Sequence, residues 1–363
     1  MRAVLRSGLA QAKYMQVPMS AAVNESVRLT RALGKSSAAG MVNAVLRKAV
    51  VTEVHEDDFA APLQRLGTYY CLSPAVAKLL YNQYDEEAFA MAAAFYERPA
   101  TAIRVNTLRT TDEELTDLLH TEGHSVRPGP WPHALLVEFN GSPAASRAFA
   151  KGLFHVQGLA SQFAALCVGA QPGQKVADFC AAPGGKSLTL AECMQNQGKL
   201  ISGEYVESRV PLLRKAFARC GVTCAEAVQN DAAQLRSDWG KFDRILCDVP
   251  CSGLGVIAKK PDIRYKDLDG IENLLLSQQK ILQNGADLLA ENGRLVYSTC
   301  TVNRDENEEQ VRTFLKNNPR FHVAVSALQL PGMQQGEYGT LFLPHKTATD
   351  GFFAAILETE STQ

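Results

Sequence analysis

The stretch Val176 to Ser187, VADFCAAPGGKS, restricts the fold more than any other part of the chain. A short apolar run, Val176 to Phe179, passes straight into the turn Pro183-Gly184-Gly185, and a helical pattern follows from Lys186 to about Cys193. A strand that feeds a glycine turn and then a helix aims backbone N–H groups and a helix N-terminus at a charged ligand. Spacing removes two such ligand loops. A GxxxxGK[ST] phosphate loop would use Gly185, Lys186 and Ser187 but needs glycine where Cys180 stands, and no GxGxxG dinucleotide fingerprint is present. The remaining ligand of doubly wound sheets is S-adenosylmethionine.

The segments after Phe163 alternate in the way such a sheet requires. Strands are expected at Val176 to Phe179, at Lys199 to Gly203 ending on Glu204, at Arg244 to Cys247 ending on Asp248, and at Arg294 to Tyr297. Helices are expected at Ser208 to Cys220 and at Asn273 to Leu289, the latter closed by Gly293. The fold class is therefore α/β: a Rossmann-like, doubly wound, mostly parallel sheet with helices on both faces. Ligands of such sheets gather at the carboxyl ends of the strands, so Asp178, Glu204, Asp248 and Cys300 should converge.

Upstream the pattern differs. Residues 1 to about 50 read as all helix, with Ser20 to Glu25 opening the second helix and Lys35 to Lys48 forming a third. A helical stretch at Pro74 to Tyr96 follows. After Pro99 come an alternating strand, Thr101 to Asn106, a capped helix, Thr111 to His120, and loops marked by Gly129, Pro130, Pro132 and Pro143. The expected domains are residues 1–58, a helical segment; 59–160, linker helices and a small α/β domain; and 161–360, the Rossmann-like domain.

Composition narrows the setting. The formal net charge of the 363 residues is −1, so no global basic field draws the chain to nucleic acid, and any such binding needs a local patch. The nine cysteines are scattered without CxxC pairs, which points to a reducing compartment, and the pairs Cys220/Cys224 and Cys247/Cys251 lack the histidines of a zinc site. No metal and no membrane span are expected, and Arg6 and Lys13 break any secretory apolar region, leaving the cytoplasm as the expected location.

Chemistry concentrates after Asp248. In Asp248-Val-Pro-Cys251-Ser-Gly253 a thiol stands where methyltransferases of exocyclic amines place a base-stacking aromatic. The thiol suggests methylation at carbon, because C5 of a pyrimidine is a poor nucleophile until a thiolate adds to C6. Asp248 would hold the base edge at N3 or N4. Tyr297-Ser-Thr-Cys300 brings a second cysteine to the next strand end. One sulfur would attack and the other assist departure, and the residues alone leave open which does which. Glu204, about twenty residues past the glycine turn, can accept the ribose hydroxyls of an adenosine, and Asp231 its amine. The basic loop Lys259-Lys260-Pro-Asp-Ile-Arg264-Tyr265-Lys266 offers phosphate contacts and a stacking ring to a single-stranded or flipped nucleotide.

Taken together, DFCAAPGGKS, DVPCSGLGVIAKKPDIRY and YSTCT strongly resemble the Sun/Fmu family of RNA cytosine-C5 methyltransferases. Arg104 to Arg109, Gly152 to Gln157, Leu343 to Lys346 and Thr349 to Phe353 agree with it, and the N-terminus resembles the end of the NusB-like RNA-binding domain of the bacterial 16S rRNA enzyme. The resemblance implies that the backbone of Cys180, Ala181, Ala182, Pro183, Gly184, Gly185 and Lys186 cradles the methionine part of S-adenosylmethionine. Glu204 takes the ribose, Asp231 the adenine, and Asp248 lies between cofactor and base. It also implies that Cys300 is the nucleophile and that Cys251 assists product release. The small α/β domain would be RRM-like, and the partner would be small-subunit rRNA, bound by a monomer.

Three positions depart from the family pattern. Glu204 replaces a frequent aspartate, Gly158 follows Gln157 where relatives carry an acid, and the NusB-like part is short, which implies a start upstream of Met1 or weaker RNA positioning. The alternatives to 16S rRNA are the same chemistry on tRNA or another rRNA site, or a non-catalytic RNA-binding assembly factor.

Overall fold

The computed structural model describes residues 1–97 and 100–359; the change of character expected at Pro99 and the expected domain end at 360 lie outside them. The chain forms two compact units, Met1–Arg65 and Leu66–Gln363.

The first unit is built on the helices Arg2–Tyr14, Met19–Ala32 and Ala39–Val51 around Val4, Val23, Val42 and Leu46. Gly8 lets the first helix approach the others closely, since a side-chain carbon there would strike Ser26 Oγ and Leu46 Cδ1. The second helix begins one residue before the expected Ser20, because Pro18 holds the extended φ of −52° and ψ of 134° that a helix N-cap takes.

In the second unit, the expected helical stretch from Pro74 divides into Pro74–Tyr84 and Glu87–Ala94, broken where Asp85 turns to a φ of 50°. A small antiparallel sheet follows: β1 Thr101–Val105, β2 Ser125–Pro128, β3 Ala134–Glu138 and β4 Phe154–Val156, in the order β2-β3-β1-β4. Its helix, Asp112–Thr121, starts on a capping box in which Thr111 and Glu114 satisfy one another's backbone N–H, at 3.2 and 3.3 Å. Leu115 and Leu119 of that helix pack on Ile103, Val105, Val137 and Phe154.

The large sheet contains β5 Lys175–Asp178, β6 Lys199–Glu204, β7 Ala225–Gln229, β8 Phe242–Asp248 and β9 Leu289–Thr299, all parallel where they pair. After these come β10 Phe321–Ala324, β11 Gln334–Gln335, β12 Thr340–Phe342 and β13 Phe352–Thr359, which add antiparallel. The order β11-β12-β13-β9-β8-β5-β6-β7 reverses direction between β5 and β8, and β10 pairs the second half of β13. The core strands are buried on both faces, as Val176, Ala177, Ile245, Leu246 and Val296 show, so they read as continuous apolar runs. β9 begins earlier than the expected Arg294: its pairing skips from Leu289 to Arg294 across a bulge where Asn292 takes a φ of 57°.

A buried ionic cluster joins the small sheet to the helix Gly185–Cys193. Glu192 accepts from Arg104 Nε at 2.8 Å and faces His155 Nε2 at 3.0 Å, and all three side chains are 3% exposed or less. Arg104 also donates to the Pro132 carbonyl at 3.1 Å. Among the described residues no helix is long and apolar enough to cross a membrane, and no group of three His, Cys, Asp or Glu side chains could hold a metal ion.

Candidate active site

The reversal between β5 and β8 opens a crevice at the carboxyl edge of the sheet, and Glu204, Asp248, Cys251 and Cys300 stand at the strand ends that border it, whereas Asp178 and Arg264 are turned away. At the end of β5 the chain turns through Cys180 to Gly184, where Gly184 adopts a φ of 113° that an L side chain would resist. Ala181 N–H donates to the Gly203 carbonyl at 2.8 Å, tying the turn to β6. Asp178 does not face the crevice. Its carboxylate accepts from Ser187 Oγ at 2.7 Å, Ser187 in turn receives Ser202 Oγ at 2.9 Å, and the group is buried. Burial pushes its carboxyl up to about 7, with the nearby Asp248 charge adding to the effect and the Ser187 hydrogen bond opposing it. Asp178 thus braces the turn from beneath.

The donor half fits S-adenosylmethionine by its chemistry. No side-chain cap closes the first turn of the helix Gly185–Cys193, so its backbone donors are left for an anionic ligand group such as an amino-acid carboxylate. Glu204 ends β6 with its carboxylate buried; one oxygen takes Val206 N–H at 2.9 Å and the other lies 3.4 Å from Arg209. Arg209 also grips the Ala182 carbonyl at 3.1 Å, linking the acid to the glycine turn, and sequence reasoning missed it because it sits in an otherwise ordinary helix start. Asp231, past β7, accepts from Ala233 N–H and Gln234 Nε2, both at 3.0 Å, which fixes its loop.

Asp248 closes β8 between the two halves. Lys186 Nζ is 2.7 Å from one carboxylate oxygen and Ser298 Oγ donates to the other at 2.7 Å. Burial opposes the Lys186 charge, but the Asp248 carboxylate outweighs it and holds the ammonium above its ordinary range. The pair is therefore a fixed dipole beside the sulfurs.

Cys251 and Cys300 meet there, Sγ to Sγ at 3.1 Å, both as free thiols, and the Cys300 N–H donates to Cys251 Sγ at 3.3 Å. The hydrogen bond from Cys251 lowers the Cys300 thiol below the ordinary range against the cost of burial, with help from Lys186 and Lys260. The same bond, together with burial, the charge of Cys300 and, behind these, the charge of Glu306, pushes Cys251 far up. Two sulfurs in contact can carry one negative charge between them, and the Lys186 and Lys260 ammonium groups favour it on Cys300. The other cysteines are different. Burial raises the Cys247 and Cys167 thiols, which lie in the core.

The basic loop is only partly open. Tyr265 is 66% exposed, and Lys260 is exposed toward Cys300. Lys259 pairs with Asp350 at 2.6 Å. Arg264 is turned inward, buried with its guanidinium over the Tyr96 ring at 4.4 Å, so it shapes the loop and does not present itself to solvent. Tyr96 lies far away in sequence, and no local pattern announces the stack. A cleft of about 400 Å³ lies beside this loop, lined by Ala258, Lys259 and Asp350 together with Ala102 and Leu136 of the small sheet.

Comparison with known proteins gives a consistent result. A family model described as 16S rRNA methyltransferase RsmB/F matches residues 165–358, one described as the NusB family matches 1–50, and one described as the ferredoxin-like domain of RsmF/B-like methyltransferases matches 76–142. The probable ribosomal RNA small subunit methyltransferase B of Bacillus subtilis (strain 168) is 33% identical over 362 residues, 96% of this chain and 80% of its own. The ribosomal RNA small subunit methyltransferase B of Vibrio cholerae is 32% identical over 96% of this chain and 79% of its own. A crystallised methyltransferase homologue from Pyrococcus horikoshii superimposes with a TM-score of 0.73 at 24% identity, covering 83% of this chain and all (100%) of that one, a likeness of fold.

Proposed function

Because the chain belongs to the 16S rRNA methyltransferase RsmB/F family, we propose that it methylates C5 of a cytosine in small-subunit rRNA through a covalent adduct on Cys300. The methyl donor of this enzyme is S-adenosylmethionine, which when bound supplies an electrophilic methyl group. The observation that carries the reading is the contact of the two sulfurs at 3.1 Å beside the Lys186–Asp248 pair.

The chain's own groups divide the work as follows. The Cys300 thiolate adds to C6, forming a sulfur–carbon bond and leaving C5 electron-rich. Asp248, immobilised by Ser298 and Lys186, holds the edge of the base at N3 or N4, and the Lys186 ammonium paired with it offsets the negative charge that develops on the ring. After C5 is methylated, a water molecule takes the C5 proton, the C–H electron pair forms the C5=C6 double bond, the bond to C6 breaks with its pair going to sulfur, and Cys300 leaves as a thiolate. Cys251, held as a thiol, hydrogen-bonds that departing sulfur. Lys260 and Tyr265 meet the RNA strand next to the target nucleotide by charge and stacking. Lys259 does so only from its pair with Asp350, and Arg264 supports the loop from within. Cofactor recognition falls to the backbone from Cys180 to Lys186, to Glu204 and to Asp231. An rRNA-modifying enzyme of this type works in the cytoplasm.

Transfer of a labelled methyl group to unmodified small-subunit rRNA tests the reading. The intact protein should transfer, Cys300→Ala should not, and Cys251→Ser should accumulate a covalent protein–RNA adduct. Transfer that persists in Cys300→Ala rules out the nucleophile, and an adduct that builds up in Cys300→Ser instead reverses the two roles.

A further inference from the structure

The two sulfurs stand on separate loops, one after β8 and one after β9, and their hydrogen-bonded contact needs something to hold those loops in register. Behind the pair lies a carboxylate that plays no part in the chemistry above. Glu306 is fully buried and sits in the acidic run Asp305-Glu306-Asn307-Glu308, which a sequence reading would leave facing solvent. One of its oxygens accepts from Ser252 N–H at 2.7 Å and Gln278 Nε2 at 3.0 Å, and the other from Ser252 Oγ at 2.5 Å and Asn303 Nδ2 at 3.2 Å. Every partner is a donor, the arrangement that suits an ionised carboxylate.

Those donors come from three places. Ser252 follows Cys251 directly, Asn303 lies three residues past Cys300, and Gln278 belongs to the helix Ile271–Leu288 and also holds the Pro250 carbonyl at 2.9 Å. Ser252 Oγ, which donates to Glu306, meets Thr301 Oγ1 at 2.8 Å, so the residues next to each cysteine are bonded to one another as well. The backbone of Glu306 is fixed from below by the Tyr297 hydroxyl, which donates to its carbonyl at 2.7 Å. Lys266 Nζ holds the Ser252 carbonyl at 2.6 Å.

We propose that Glu306 is a positioning residue that clamps the two cysteine loops together and, by lying on the Cys251 side, decides which sulfur ionises. The charges facing the sulfurs are unevenly placed. Cys300 has the ammonium groups of Lys186 and Lys260 and the carboxylate of Asp248 about it, whereas Glu306 is bonded to the N–H and Oγ of Ser252, the residue after Cys251, whose carbonyl carries the Lys266 ammonium. A negative charge buried on one side of a coupled thiol pair drives the anion to the other side. Glu306 thereby keeps Cys251 protonated for its role in departure while Cys300 is free to attack, an inference that rests on the division of roles proposed above.

Site-resolved alkylation by iodoacetamide tests it without RNA. The full chain is labelled across about pH 6 to 9, the rates at Cys300 and Cys251 are read by mass spectrometry, and melting and S-adenosylmethionine binding are measured alongside. In the intact protein Cys300 should react about tenfold faster than Cys251 or more, and in Glu306→Gln that preference should shrink by about tenfold, one pH unit of relative ionisation. Ser252→Ala keeps the charge and loses the 2.5 Å bond, and should shrink the preference in the same direction by less. A preference unchanged in Glu306→Gln overturns the proposal, and so does one unchanged in Ser252→Ala should the first variant fail to fold. A purely structural role for Glu306 would lower the melting temperature of both variants and leave the preference and its pH profile where they were. Methyl transfer surviving in Cys300→Ala would instead strike the reading of the nucleophile, a separate result that the labelling ratio does not depend on.

Discussion

Replacing Arg104 with methionine isolates the buried ionic cluster that ties the small sheet to the cofactor-loop helix. The substitution keeps the length of the side chain but leaves Glu192, whose side chain is 2% exposed, with only His155 at 3.0 Å, and it frees the Pro132 carbonyl. Breaking a buried pair by removing one partner costs about 3–5 kcal/mol, and the surviving histidine contact argues for the lower end, about 3 kcal/mol. At roughly 2 °C per kcal/mol for a unit of this size, the melting transition of the larger unit should fall by about 6 °C. The double variant Arg104→Met/Glu192→Leu, in which an apolar contact replaces the pair, should recover most of that loss. Calorimetric melts of the intact chain, the two single variants and the double variant give the coupling directly, because the unit's own transition is followed in each. A loss under about 1 kcal/mol in Arg104→Met, or losses that add to within about 0.5 kcal/mol in the double variant, would refute the view that this cluster holds the two layers together.

Two further outcomes follow from the site. Asp178 titrates near 7 in the folded chain against an ordinary 3.8, so the native state keeps a proton that the unfolded state has released; its contribution is complete below about pH 4, declines as pH rises toward 7 by up to roughly 4 kcal/mol, and Asp178→Asn should abolish that decline in denaturant titrations across the range. Glu204→Gln should weaken S-adenosylmethionine binding by about 2 kcal/mol, roughly 30-fold, in isothermal titration with little change in melting, and an unaltered affinity would remove the ribose from that acid.

What the chain disclosed before its structure was known depended on the range of the interaction involved. The glycine turn, the acid that ends β6 and the places of both cysteines were legible because each is set by a strand end and a few neighbours in sequence, and the topology then brings strand ends together. The inward turn of Arg264 was not legible, since its partner Tyr96 lies on the far side of the small domain in sequence. Glu306 was hidden for the same reason: a carboxylate in an acidic run looks solvated until donors from Ser252, Gln278 and Asn303 are seen to surround it. Gly158 gave a partial signal. A side-chain carbon there would come within 2.9 Å of Asp350 Oδ2, so the missing acid at this position leaves Lys259 to Asp350. The early start of β9 escaped because Asn292 and Gly293 read as the end of a helix, and only the pairing with β8 shows that the strand carries on through the bulge.

The reversal of strand order between β5 and β8 carries a consequence for how such a molecule can diverge. In the proposed division of work the groups assigned to the donor hang from β5, β6 and β7 and those assigned to the recipient from β8 and β9, and the Lys186–Asp248 pair joins the two sets. Descent could therefore rework the recipient side, exchanging one target atom or nucleic acid for another, while the donor side passed through unaltered, provided that pair was kept.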